Sequence, residues 1–148
     1  MKGPSLMIRL LCVEDDPIVR RYLVTRLAAE PEMRVVGAAP DISRGLIYLA
    51  RDEIDIVLLD YILPGRDGIS LAEAMAPWLI WPHPDEPRPM VLFCTGQAAD
   101  EDFRAKARLV GARGVVSKDR LRSDLIPAVR EVARGGSWWL KHELQGMV

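Results

Sequence analysis

Residues 56–59, Ile-Val-Leu-Leu, form an apolar run that stops abruptly on Asp60. A strand without polar alternation is covered on both faces, the pattern of a central parallel strand with helices packed above and below it. Pro64-Gly65 and Asp67-Gly68 then punctuate a tight loop before the next helical pattern. This stretch commits its surroundings to an α/β sheet, since parallel neighbours need helical crossovers. It also sets a carboxylate at the carboxyl end of a strand, the edge where open parallel sheets bind ligands.

The rest of the chain alternates around it. Leu6–Val13 reads as a first strand, running directly into Glu14-Asp15-Asp16. Pro17 suits the first turn of a helix capped by Asp16. In that helix Val19, Leu23 and Leu27 recur at helical spacing, with Arg20, Arg21 and Arg26 mostly on the other face. Met33–Ala39 is a second strand, and Asp41 caps a helix from Ile42 to about Arg51 whose Leu46, Leu49 and Ala50 face inward. After the opening stretch, a helical run Ile69–Met75 ends before Pro77. Met90–Cys94 is the fourth strand, ending on Thr95-Gly96, and a fourth helix runs to about Val110, stopped by Gly111. Gly114–Ser117 is the fifth strand, followed by Lys118-Asp119. Asp124–Arg134 is the last helix, broken by Gly135-Gly136, and the tail from Ser137 reads as the start of another. The alternation predicts a doubly wound, five-stranded parallel sheet of flavodoxin-like order 2-1-3-4-5, with helices on both faces and right-handed crossovers. Residues 1–134 form the expected domain, and 135–148 a tail or the start of a linker to an output domain.

Composition narrows the function classes. At 148 residues the chain is one domain able to bury a core without staples. A formal net charge of −1 exerts no bulk pull toward nucleic acid or anionic membrane. No apolar run approaches the roughly 20 residues of a membrane span, and the start lacks a signal-peptide pattern, so a cytoplasmic protein is expected. Cys12 and Cys94 fall in strands that are not neighbours, about 10 Å apart at a strand spacing of about 4.8 Å. That exceeds disulfide reach, and both read as core thiols. The Pro77–Pro89 segment, with two tryptophans, is longer than usual α/β connections and reads as a surface loop or broken helix. His83 within it has no second ligand at zinc spacing.

In the expected order, the strand ends place Glu14, Asp15, Asp60, Thr95 and Lys118 around one crevice. Three converging carboxylates repel one another unless a cation neutralises them, and a hard divalent ion such as Mg²⁺ takes oxygen ligands of this kind. Asp15 and Asp60 are the expected direct ligands, Glu14 acts through a water, and the Ile62 backbone carbonyl is a third protein ligand. A carboxylate can also be a nucleophile, forming an aspartyl-phosphate. Lys118 then supplies a positive charge for the phosphoryl group and Thr95 a hydroxyl donor, with Gly96 leaving room beside it.

Together the stretches LLCVEDDP, DIVLLDYILPGRDG, VLFCTG and GARGVVSKD resemble the response-regulator receiver domain of two-component signalling, over roughly residues 7 to 134. The resemblance places Glu14 and Asp15 at the family's acidic pair, Asp60 at the phosphoacceptor, and Thr95 and Lys118 at the hydroxyl and lysine positions. It implies Mg²⁺-dependent acceptance of phosphate from a sensor histidine kinase, then self-dephosphorylation, both catalysed at Asp60 by the domain itself. The end pattern GARGVVSKD…LIPAVREVARGG is similar to the LuxR/NarL-type subfamily, whose members usually carry a DNA-binding domain downstream. Transcription would then be regulated through an output domain, DNA being reached only that way. The implied switch is the face of helix four, strand five and helix five, which commonly mediates homodimerisation. Val115 departs from the pattern, standing where the family often has an aromatic residue. Trp138 and Trp139 are expected to pack on a neighbouring chain or domain.

Two other classes compete. A pseudo-receiver, acting through protein contacts alone, usually lacks the acidic pair, the Asp or the Lys, and all stand here. A flavodoxin-like nucleotide binder needs a Gly-rich or Ser/Thr-rich loop after strand one, where this chain carries acids. The sequence reads equally as a stand-alone receiver or as a piece of a longer regulator.

Overall fold

In the computed structural model, the described residues are 7–63, 66–70, 72–73 and 89–139. The elements run β1 (Ile8–Val13), α1 (Pro17–Ala28), β2 (Met33–Ala39), α2 (Ile42–Arg51), β3 (Ile56–Leu59), β4 (Ile62–Leu63) and β5 (Arg66–Asp67). Helical residues 68–70 and 72–73, labelled α3, follow. Then come β6 (Met90–Thr95), α4 (Glu101–Leu109), β7 (Gly114–Ser117), a 3₁₀ turn (Lys118–Arg120), α5 (Leu121–Ala133) and β8 (Trp138–Trp139). Most of the predicted Pro/Trp connection, with His83, and the tail beyond Trp139 lie outside the described residues.

The main sheet is parallel, in the order β2-β1-β3-β6-β7-β8. Strand β3 is apolar and buried throughout because it supplies two core layers by alternation. Leu11, Val13, Val57, Leu59, Val91, Phe93 and Val115 pack toward Ile42 of α2 and Phe103 of α4. Leu10, Cys12, Ile56, Leu58, Leu92, Cys94 and Val116 pack toward Leu23 and Leu27 of α1 and Leu125 and Val129 of α5. Both cysteines are buried free thiols. Three helices begin on an aspartate cap, two of which, Asp16 and Asp41, the sequence placed. Asp16 accepts from the Ile18 N–H at 2.8 Å, Asp41 from Arg44 at 2.9 Å, and Asp100 from Phe103 at 3.1 Å. Gly111 ends α4 with φ 88°, the left-handed conformation that glycine adopts without a steric penalty.

Several expectations are corrected. The five-stranded sheet of order 2-1-3-4-5 is six-stranded, because β8 adds outside β7. The tail therefore opens with a strand and not a helix. Its tryptophans pack on this chain's own core, Trp138 on the α1/α5 side and Trp139 on the other, with the Arg108 guanidinium 4.5 Å from the Trp139 ring centre. The turn after Asp60 contains an antiparallel β4–β5 pair. The last helix starts three residues before the predicted Asp124. That carboxylate sits buried in the helix, accepting from Ser123 Oγ at 2.9 Å and Arg120 Nε at 3.3 Å. In α2, Ala50 faces solvent, and the buried positions are Ile42 and Gly45.

The sixth strand depends on one small residue. A methyl group at Gly114 would overlap the backbone of Trp138, its register partner. Gly114→Ala is therefore expected to unpair β8 and leave the rest folded. The Trp138 amide, bonded to the Arg113 carbonyl at 2.9 Å, should lose at least about tenfold in hydrogen-exchange protection, while amides of β3 keep theirs.

Candidate functional site

Strand register assembles the site. Val13 lies opposite Leu59, so Glu14 and Asp60 leave the sheet side by side. The ladder continues one step beyond, with the Asp60 N–H donating to the Val13 carbonyl at 3.1 Å. Thr95 lies opposite Ser117, which delivers Lys118 to the same edge. The four strand ends thus meet because parallel strands share one carboxyl edge, although Glu14 and Lys118 are far apart in sequence.

Lys118 Nζ is 2.9 Å from Asp60 Oδ2 and 2.7 Å from Glu14 Oε1, the first a hydrogen-bonded pair and the second a bare ion pair. Glu14 and Asp60 are both buried. Burial pushes the Glu14 carboxyl up to about 7, against the pull of Lys118 and the Asp16 N–H, and the charge of Asp60 adds to the rise. For Lys118, burial works to lower the pKa, but its pairing with Glu14 and Asp60 together outweighs it and holds the ammonium above its ordinary range.

One carboxylate oxygen from each of Glu14, Asp15 and Asp60 lies within 4.8 Å of the others. The adjoining cleft, about 350 Å³, is lined by Asp15, Asp16, Asp60, Ile62, Thr95, Gly96, Gln97 and Lys118. This donor set fits a hard divalent cation such as Mg²⁺, which binds through one or two carboxylates and keeps several waters. Glu14, buried behind Lys118, does not line the cleft. Ile62 does, and the Gly68 N–H to Tyr61 carbonyl bond makes Ile62–Asp67 a pair that exchanges no bonds of its own, keeping the Ile62 carbonyl out of the ladder. The Ile62 N–H donates to Asp60 Oδ1 at 3.4 Å. Thr95 is buried, and its Oγ1 accepts from the Gln97 N–H at 3.2 Å.

Gly68 lies directly under the site. A methyl there would run into the Asp60 carbonyl and approach the Phe93 ring at 3.1 Å. The nearest obstacle is backbone, which cannot swing aside as a side chain can. Gly68→Ala is expected to cost about 1–3 kcal/mol, read as a lowered denaturation midpoint at unchanged slope.

Sequence reasoning did not single out Gly68, Gln97 or Arg20. Gly68 was read as turn punctuation, whereas its role is to let the returning chain approach Asp60 closely. Gln97 carries no motif. By pattern Arg20 stands on the face opposite Val19, Leu23 and Leu27, whereas its Nη1 donates to the Glu14 carbonyl at 2.8 Å; an arginine so near a helix N terminus, where the dipole disfavours cations, is the available signal.

Residues 10–130 match the family profile of the response regulator receiver domain. The chain is 33% identical over 131 residues to the DNA-binding transcriptional activator DevR/DosR of Mycobacterium tuberculosis, covering 88% of this chain and 57% of that protein. It is 28% identical over 129 residues to the transcriptional regulatory protein LiaR of Bacillus subtilis, covering 87% and 57%. The chain thus spans little more than half the length of these regulators. Among solved structures it is similar to a LuxR-family two-component response regulator from Aurantimonas, with a TM-score of 0.78, 27% identity and 94% of each chain covered. A NarL signal receiver domain from Mycobacterium tuberculosis aligns with a TM-score of 0.76 and 28% identity, covering 88% of this chain and 98% of that one.

Proposed function

The chain belongs to the response-regulator receiver family, and on that premise we propose that it is a phosphoryl-accepting switch whose acceptor is Asp60. The observation that carries the reading is Lys118 Nζ within 3 Å of both Asp60 and Glu14 at the edge of an acid-lined cleft. Receiver domains interact with sensor histidine kinases, and the phosphoryl donor assigned here is such a kinase. An Asp60 carboxylate oxygen attacks the donor's phosphorus, the bond from phosphorus to the leaving atom breaks, and the leaving group keeps the electron pair. Lys118 transfers its charge from Asp60 to a phosphoryl oxygen, and the Thr95 hydroxyl, which accepts from Gln97, keeps its own hydrogen to donate to another. Held by Asp15, Asp60 and the Ile62 carbonyl, with Glu14 acting through a water, Mg²⁺ would offset the negative charge of carboxylates and phosphoryl group together. The same cleft admits water, which hydrolyses the acyl phosphate and resets the switch. Beside it a groove lined by Ile18, Val19, Tyr22 and Leu121, with Lys118, Asp119 and Arg122 among its walls and Ile18 79% exposed, offers a mixed apolar and charged seat for the donor protein.

Output follows from neighbours of the acceptor. The Tyr61 ring lies 4.7 Å from that of Phe103 in α4, which packs edge-on against Phe93 at 5.0 Å. Movement of the Asp60 loop is therefore felt by α4, biasing the face made by α4, β7 and α5. Val115 on that face is fully buried and pairs with Trp139, so β8 borders the surface through which self-association and an output domain would be controlled. Regulation of transcription through such a domain is the role assigned to the switch.

The test is incubation with acetyl phosphate and Mg²⁺, followed by intact-protein and peptide mass spectrometry. One phosphoryl group is expected, on the peptide containing Asp60, and chelation of the metal should abolish it. Absence of any increment at saturating donor and metal would sink the proposal.

A further inference from the structure

Arg20 lies near the N terminus of α1, where the helix dipole opposes a cation, and the first turn of that helix carries no acid to offset it. Its guanidinium does not extend into solvent. Nη1 donates to the carbonyl oxygen of Glu14 at 2.8 Å and to that of Asp15 at 3.3 Å. Other backbone groups of the same loop are tied as well. The Glu14 N–H donates to the Ala39 carbonyl at 2.9 Å, and the Asp16 N–H to Glu14 Oε2 at 3.1 Å. Asp15 is exposed, so the direction of its carboxylate is set by its backbone and not by packing around the side chain.

We infer that Arg20 is a positioning residue for the acidic pair, holding the peptide planes of Glu14 and Asp15 so that the Asp15 carboxylate faces the cleft beside that of Asp60 and within reach of the Glu14 carboxylate behind it. The inference rests on the proposed metal-binding role of these acids. It makes a prediction opposite in sign to simple electrostatics. As a mere positive charge beside a cation site, Arg20 would repel the metal, and its removal would tighten binding. As an anchor of the ligand loop, its removal loosens binding.

The experiment is a Mg²⁺ titration of the full chain by calorimetry and by amide chemical shifts, comparing wild type with Arg20→Met and Arg20→Lys. Arg20→Met is expected to weaken Mg²⁺ binding about tenfold, the effect typical of residues that orient metal ligands. Arg20→Lys keeps the charge but loses the planar fork, and should fall between. In the acetyl phosphate reaction, the Mg²⁺ concentration for half-maximal rate should rise by the same factor, while the rate at saturating Mg²⁺ changes less than about twofold. A general loss of structure would instead lower the saturated rate. Unchanged or tighter Mg²⁺ binding in Arg20→Met overturns the inference. Should that variant melt too low to titrate, Arg20→Lys carries the test, and wild-type affinity in it overturns the inference equally. A wild-type protein that shows no Mg²⁺ response overturns the receiver chemistry and this inference together, an outcome distinct from a variant that binds as wild type does.

Discussion

Asp60→Asn is expected to take up no phosphoryl group from acetyl phosphate under conditions where the wild type is labelled stoichiometrically. The substitution is nearly isosteric, so the ladder bond from residue 60 to the Val13 carbonyl and the packing of Gly68 beneath it survive. What is lost is the negative charge and the nucleophilic oxygen pair. An amide is a poor nucleophile and a weak metal ligand, so Mg²⁺ affinity should fall by at least about tenfold, the loss of one of the clustered charges at close range. Intact mass and a Mg²⁺ titration measure the two effects separately. Labelling that persists in Asp60→Asn would place the acceptor elsewhere.

Lys118→Met should show the largest effect on stability. The ammonium neutralises two buried carboxylates at once. Breaking a buried ion pair by removing one partner costs about 3–5 kcal/mol, and the partial exposure of Lys118 places the expected loss near 3 kcal/mol. The pH dependence has a definite sign. Glu14 titrates near 7 in the folded chain against an ordinary 4.5, so its burial disfavours the folded state increasingly from about pH 4.5 to 7 and fully above. The Lys118 pairing acts in the other direction. Its pKa is raised, so its stabilisation is complete below about 10.5 and is lost only as pH rises through its folded value. Without the ammonium, Glu14 is raised further, and the loss relative to wild type grows from pH 5 to pH 8. Thermal melts without metal should show a drop of roughly 6–12 °C at pH 8, much less at pH 5, and recovery with Mg²⁺ as the cation takes the place of the lost charge. Equal drops at both pH values would trace the effect to packing of the methionine alone. The same variant should be labelled far more slowly by acetyl phosphate.

Most of the architecture was legible because its signals are local. Ile56–Leu59 required cover on both faces, and the two core clusters supply it from alternate residues of the same strands. Asp16 and Asp41 were legible as caps because a short carboxylate beside free N–H groups is recognisable without knowing the fold. The convergence of Glu14, Asp15, Asp60, Thr95 and Lys118 followed from strand order alone, since residues that end parallel strands share an edge. The distance from Lys118 to Glu14, and the displacement of Glu14 from the cleft, did not follow from it.

Other features depended on contacts that carry no local mark. Two tryptophans after a glycine break satisfy a helix start as well as a strand, and the vacant edge of β7 with room above Gly114 decided between them. The apolar pattern starts the last helix at Asp124, but that residue lies inside it, held by Ser123 and Arg120. Gly68 looked like a turn residue, and its value lies in a close approach to a backbone eight positions earlier.

By itself, the amino-acid sequence determined the parallel α/β class, the starts of the first two helices and the set of acids, hydroxyl and lysine at the strand ends. Those are written in periodicity and in short-range hydrogen bonding, which need only a few neighbouring residues. The tertiary structure alone decided the sixth strand, the pairing of one ammonium with two buried carboxylates and the anchoring of the acidic loop by Arg20. Each of these turns on separations of a few ångströms between segments, and burial and charge change steeply over such distances.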